Sequence, residues 1–170
     1  MDEFAELRKA IQSAIKVNPI DWVTIHTSAT RPKHNDGVQS IREMHLNRGW
    51  SDIGYHLLIT RDGQWHFARP LYRMGAGVKG FNRRNLHVCL IGGVSDEDGV
   101  TPEDNYTEAQ MSTLRDIVSV LSVEYQLPLS SFKGHRDWSP DRNRNGIIEP
   151  SEWIKYCPCF DVQERLKSWM

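Results

Sequence analysis

Between Lys133 and Asp161 the chain places His135, Lys155, Cys157 and Cys159 in one short span, in the strings Lys133-Gly-His135-Arg-Asp137 and Trp153-Ile-Lys155-Tyr-Cys157-Pro-Cys159-Phe-Asp161. Imidazole and thiolate are the ligands that borderline-soft zinc prefers, so part of a tetrahedral site can come from this span. His135 and Cys157 lie too far apart for a finger-type cluster, whose ligands pair a few residues apart in local turns. A catalytic site with an open water position fits better, and a further ligand must then come from elsewhere. His26 is a candidate, because Asp21-Trp-Val-Thr-Ile-His26 reads as a strand that delivers a histidine at its end. Taken alone, a histidine is more often a packed or surface residue than a ligand. By the same standard Tyr55 alone is a packing aromatic, and Lys155 alone a solvated charge.

The elements that must position these residues follow from patterning. Phe4, Leu7, Ile11, Ala14 and Ile15 recur at helical spacing over residues 3–16. Asn35-Asp36 is expected to cap a second helix carrying Val38, Ile41, Met44 and a structural His45, closing at Gly49. Residues 54–60 and 64–69 flank Arg61-Asp62-Gly63 as a hairpin, with Tyr55 where its first strand begins. Leu86-His-Val-Cys89-Leu-Ile-Gly-Gly93 reads as a central strand buried on both faces, with Cys89 an inert core thiol. Thr107-Glu-Ala-Gln110 is a capping box opening the longest helix, which Pro128 ends. Phe132 to His135 is a short strand or lead-in, and Asp161 with Glu164 caps a terminal helix bearing Val162, Leu166 and Trp169. Strands and helices interleave throughout, so the expected fold is α/β, a single domain with a central mixed β-sheet flanked by helices.

Composition agrees with one domain: 170 residues, 39% apolar, are enough for one ordinary core. A net charge of −1 with both signs mixed along the chain gives no electrostatic reason to expect nucleic acid or an anionic membrane as partner. The start Met-Asp-Glu-Phe-Ala-Glu lacks the basic, apolar character of a signal peptide, so synthesis as a soluble cytosolic protein is expected. Three cysteines, two of them two apart, favour reduced thiols or metal ligands over a disulfide framework.

Five ordered strings carry a resemblance: His26-Thr-Ser-Ala-Thr, Gly49-Trp-Ser-Asp-Ile-Gly-Tyr55-His, Arg61-Asp-Gly, Gly80-Phe-Asn82 and Cys157-Pro-Cys-Phe-Asp161. Over about residues 20–168 the chain resembles the zinc N-acetylmuramoyl-L-alanine amidases of the phage T7 lysozyme and peptidoglycan-recognition type. The resemblance implies zinc held by His26, His135 and Cys157, with Tyr55 and Lys155 assisting. It also settles a choice that the residues leave open, since in an extended segment Lys155, Cys157 and Cys159 all share a face. Three protein ligands leave a fourth position for water, which zinc activates near neutral pH to attack the amide between N-acetylmuramic acid and L-alanine. Lys155 would stabilise the oxyanion and Tyr55 hold or relay a proton. Two departures stand out: Gly77 stands where the family often has a histidine, and His87 where it usually has a small residue. Both put substrate contacts on that side in question.

A third departure is a polar insertion between His135 and Lys155. Within it Asp141, Asn143, Asn145, Gly146 and Glu152 match the calcium-loop pattern D-x-[DN]-x-[DN]-G-x5-E, with Ile147 offering a backbone carbonyl. The plain alternative is a polar surface loop around an Asn-Gly turn. The expected organisation is a helical extension over 1–18 and an amidase domain over 19–170, the EF-hand-like loop 141–152 inserted between two zinc ligands. The implied function is a peptidoglycan hydrolase using zinc, with calcium in addition, most simply a monomeric phage endolysin. It would be made in the host cytoplasm without stable membrane association and act at the wall from the periplasm once the inner membrane is breached. The alternatives are a recognition domain that holds muropeptides without cutting and a bacterial cytosolic recycling amidase. Cys157 and Tyr55 favour the enzyme.

Overall fold

The computed structural model describes residues 2–170. One five-stranded mixed sheet runs in the order β3-β2-β4-β1-β5, with β1 at Trp22–Thr27, β2 at Leu57–Ile59, β3 at Trp65–Phe67, β4 at Asn85–Leu90 and β5 at Phe132–Gly134. The central pair β4 and β1 is parallel, from Trp22 opposite Asn85 to Thr27 opposite Leu90. Every residue of β4 is buried, as its apolar run predicts for a strand covered on both faces. Strand β5 adds in parallel to β1 and β2 in parallel to β4. Strand β3 returns antiparallel to β2 through the Asp62-Gly63 turn, where Gly63 takes φ +83° in the left-handed region that suits glycine. Both hairpin strands are shorter than the alternating pattern suggests. Tyr55 therefore stands two residues ahead of β2, its carbonyl still accepting from the Arg69 amide at 2.8 Å.

Alternation along the strands assigns the two faces of the sheet. Leu57, Ile59, Leu86, Val88, Val23 and Ile25 point into the main core, which helices α1 (Ala5–Ala14) and α3 (Glu108–Tyr125) close with Leu7, Ile11, Leu114, Ile117 and Leu121. Leu58 points the other way and joins Ile41, Ile53 and Ile91 beneath α2 (Val38–Asn47). His26 and His87 alternate with main-core residues, so they lie on the α2 side of the sheet.

Helix α3 opens with the expected capping box: Gln110 N donates to Thr107 Oγ1 and Thr107 N to Gln110 Oε1, both at 3.1 Å. Short α4 (Val162–Lys167) is capped by Asp161, which accepts from Glu164 N at 2.8 Å. The cap of α2 differs from the sequence expectation. Gly37, rather than Asn35 or Asp36, occupies that place; it has no side chain to cap the first turn, and the bond present runs the other way, Ser40 Oγ accepting from Gly37 N at 3.0 Å.

Candidate functional site

Three separate segments converge at one end of the sheet. Ile25 of β1 pairs with Gly134, the last residue of β5, so His26, next along β1, lies beside His135, the first residue past the end of β5. They face the crevice outside the strands' carboxyl ends, where open α/β sheets bind ligands. His135 opens a 3-10 turn over His135–Trp138. Cys157 arrives from the far side of the insertion, its carbonyl accepting from Arg136 N at 2.9 Å and its sulfur from Thr27 N at 3.2 Å. Close approach at this corner requires glycine at 134, where a Cβ would lie 2.7 Å from Pro158 Cδ.

One ligand atom each from His26, His135 and Cys157 lies within 4.8 Å of the others, and His26 Nδ1 is 3.8 Å from Cys157 Sγ. Bond lengths to zinc imply about 3.5 Å between ligand atoms of a tetrahedral site, so the trio needs a small inward adjustment to close on an ion. All three are buried, with exposures of 1%, 7% and 9%. Burial, then the charges of His87, His135 and Lys155, push His26 well below the ordinary histidine range. Burial and then Lys155 bring His135 down to about 4. Both imidazoles are thus neutral at pH 7 with lone pairs to give. Burial pushes the Cys157 thiol up to about 12, opposed by the Thr27 amide. A metal cation is the agent that would displace that proton, and an amide aimed at sulfur suits the resulting thiolate. The donor set therefore fits a zinc-type metal.

Cys159 does not join the group. Its thiol donates to the Gly93 carbonyl at 3.3 Å. The group of potential ligands contains Cys157 and not Cys159. The Tyr55 ring lies 5.0 Å from that of His26 and 5.2 Å from that of His45. Burial raises its phenol well above the ordinary tyrosine value, so it is a hydrogen-bond donor at neutral pH. Lys155 lies on the wall of a cleft of about 790 Å³ that also contains His135 and is otherwise mostly apolar, with Trp50, Phe81, Trp138 and Ile154 around it. The segment carrying Lys155 is irregular rather than a regular strand.

The insertion is closed at its base by protein contacts. Ser139 Oγ accepts from Ile154 N at 3.0 Å, and the Arg136 guanidinium sits 4.0 Å over the Trp153 ring. Gly146 has the expected left-handed turn, at φ +85°. The candidate calcium oxygens are already engaged by loop amides. Asp141 accepts from Gly146 N at 2.8 Å and Asn143 from Asn145 N at 2.9 Å. Asn145 accepts from Ile147 N at 2.8 Å and Glu152 from Arg142 N at 2.7 Å.

Sequence reasoning noted His87 and Gly77 as departures from the family and His45 as structural, but not that they pack behind the trio. His87 Nδ1 lies 3.0 Å from His26 Nε2, on the side of the ligand away from Cys157. It therefore contacts a candidate ligand from behind, and Gly77, which also lines the cleft, is its neighbour: a Cβ there would lie 2.5 Å from His87 Nδ1. His45, expected to be structural, accepts from Gly54 N at 3.0 Å and also packs on Tyr55.

The N-acetylmuramoyl-L-alanine amidase family matches residues 16–146, which includes His26, Tyr55 and His135 and stops before Cys157. The chain is 35% identical to the endolysin of Escherichia phage T7 over 149 residues, covering 88% of this chain and 84% of that protein. It is 37% identical to the endolysin of Klebsiella phage KP32 over 147 residues, covering 86% and 83%. Among solved structures, the N-acetylmuramoyl-L-alanine amidase LysC from Clostridium intestinale URNW superposes with a TM-score of 0.68 at 24% identity, covering 90% of this chain and 87% of that one. That likeness bears on the fold. Among the described residues no helix is long and apolar enough to cross a membrane.

Proposed function

The chain belongs to the N-acetylmuramoyl-L-alanine amidase family, and from that premise we propose that it cuts the amide between N-acetylmuramic acid and L-alanine in peptidoglycan with zinc held by His26, His135 and Cys157. The observation that carries the reading is the convergence of two neutral imidazoles and one buried thiol beside a cleft of about 790 Å³. A zinc ion with three protein ligands supplies hydroxide strength to water near neutral pH and polarises a carbonyl.

The chain's own residues do the rest. The aromatic and aliphatic cleft walls strip water from the scissile amide and hold the sugar and peptide on either side of it. The Lys155 ammonium, on the same wall as His135, is placed to stabilise negative charge developing on the carbonyl oxygen. The Tyr55 phenol keeps its proton at working pH and donates a hydrogen bond to the reacting centre beside His26. Cys157 separates this enzyme reading from that of a domain that only holds muropeptides, because it completes the ligand trio.

The relatives named above are phage endolysins, which supports a role in lysing the host, with synthesis in the host cytoplasm and action at the wall. Dialysis against a strong chelator should abolish clearing of peptidoglycan, and one equivalent of zinc should restore it. Full activity in metal-free protein would overturn the metal reading. Calcium in the loop 141–152 rests on the sequence spacing and the left-handed turn at Gly146; the loop's amides bond the same side chains but leave lone pairs on their oxygens. Binding there should raise the melting temperature at millimolar calcium, and Asp141→Ala should remove the increase. No shift would make the loop a polar turn closed by itself.

A further inference from the structure

The buried histidines behind the site divide into one that faces the candidate metal and others that do not. His26 turns Nδ1 toward Cys157 and Nε2 toward His87 Nδ1, at 3.0 Å. One proton lies between those two nitrogens. If His26 is to give the Nδ1 lone pair to a cation, its own proton must sit on Nε2, and His87 Nδ1 must accept it. The opposite placement, with His87 donating, leaves a proton on His26 Nδ1 and closes that atom to a metal. In the first placement His87 carries its own proton on Nε2, a buried N–H without a hydrogen-bond partner among the described residues, whereas in the second Nε2 is a bare lone pair, so it is the cation taking the His26 Nδ1 lone pair that selects the first.

The surroundings hold His87 where this bond requires it. Its backbone N–H donates to His56 Nδ1 at 3.0 Å, which places the His56 proton on Nε2, 2.9 Å from the Arg73 carbonyl that accepts it. The His56 and His87 rings lie parallel within 9°, their centroids 5.7 Å apart. On the other side the backbone of residues 75–77 passes directly over the ring. A Cβ on Gly75 would lie 2.4 Å from His87 Cδ2, and one on Gly77 would lie 2.5 Å from His87 Nδ1 and 2.8 Å from His26 Nε2. Neither glycine has the positive φ that would explain its presence by backbone conformation. Room for the two imidazoles explains both.

Resting on the metal reading above, we propose that His87 is a positioning residue which accepts the His26 Nε2 proton, fixes His26 as an Nδ1 ligand, and depends on glycine at 75 and 77 for its place. Without that acceptor His26 Nε2–H is a buried donor with no partner, and the ligand tautomer loses its advantage. Partners of this kind change metal affinity by about 10- to 100-fold when removed.

The test is zinc affinity, measured on the full chain by competition with a chromophoric chelator, together with the visible spectrum of the cobalt form and the melting temperature of the metal-free protein. His87→Leu should lose about 10- to 100-fold in affinity and alter the cobalt spectrum. His87→Asn should stay near the unaltered chain, because Asn Oδ1 can accept where His Nδ1 did. Gly77→Ala leaves every ligand residue in the sequence, but its Cβ would press on both His87 Nδ1 and His26 Nε2, so it should weaken zinc as His87→Leu does, by forcing the two rings apart. A packing role alone would lower the metal-free melting temperature and leave the cobalt spectrum unchanged. Unchanged affinity and spectrum in both His87→Leu and Gly77→Ala would overturn the proposal while leaving the metal reading intact. If His87→Leu does not fold, unchanged zinc affinity in Gly77→Ala overturns it alone. No zinc uptake by the unaltered chain would overturn the metal reading itself.

Discussion

Two cysteines flank Pro158, and their sulfurs have different environments: that of Cys157 accepts from the Thr27 amide among the histidines, while that of Cys159 donates to the Gly93 carbonyl. Cys157→Ser should therefore lose zinc and activity, and Cys159→Ser should keep most of both, as metal content and turnover will show. The reverse result would reassign the ligand. Tyr55→Phe and Lys155→Ala should keep zinc and lower turnover by about 10²-fold or more, since their parts lie in stabilising the transition state. Undiminished turnover in either would remove that residue from the mechanism. His26, Tyr55 and Cys157 are each carried by one of the five short strings, whereas His135 and Lys155 lie outside those strings and were assigned by the resemblance from their place before Cys157. His87 was not legible in the same way. A histidine inside Leu86-His-Val-Cys89 reads as one more buried strand residue, and its partner His26 lies in a strand sixty residues earlier, joined to it by sheet pairing that sequence spacing does not encode.

At the scale of elements, the apolar period and the capping box predicted α1 and α3, and the buried run predicted β4 as a central strand. Helix α3 is fixed at its start twice over, because Thr107 Oγ1 accepts from Gln110 N and also donates to the Arg61 carbonyl at the hairpin turn. Thr107→Ala should cost about 1 kcal/mol or somewhat more, read as a lower urea midpoint with an unchanged slope. A midpoint equal to that of the unaltered chain would show that the cap contributes nothing. The short strands of the hairpin and the Gly37 start of α2 were less legible. At α2 the helix begins at a residue without a capping side chain, and only the reciprocal bond from Gly37 N to Ser40 Oγ is made, which the Asn35-Asp36 pair in the sequence does not foretell. The insertion is similar: its sequence offers calcium ligands, while its folded base is tied by contacts from Ser139 to Ile154 and from Arg136 to Trp153 that the spacing of the ligand pattern does not show.

For the molecule as a whole, the parallel strands β1 and β5 bring His26 and His135 to one edge, the closed insertion returns Cys157 to them, and the cleft beside Lys155 gives a polymeric substrate access. Interleaved strands and helices made the α/β class readable in advance. The strand order was not, because it depends on which non-local pairings bury the most surface. The account's central claim is that this edge hydrolyses one bond, the amide joining N-acetylmuramic acid to L-alanine. The direct measurement is mass spectrometry of purified peptidoglycan digested with the zinc-loaded protein. The account predicts intact glycan strands freed of peptides that carry new L-alanine N-termini. New reducing sugar ends with the peptides still attached would contradict it.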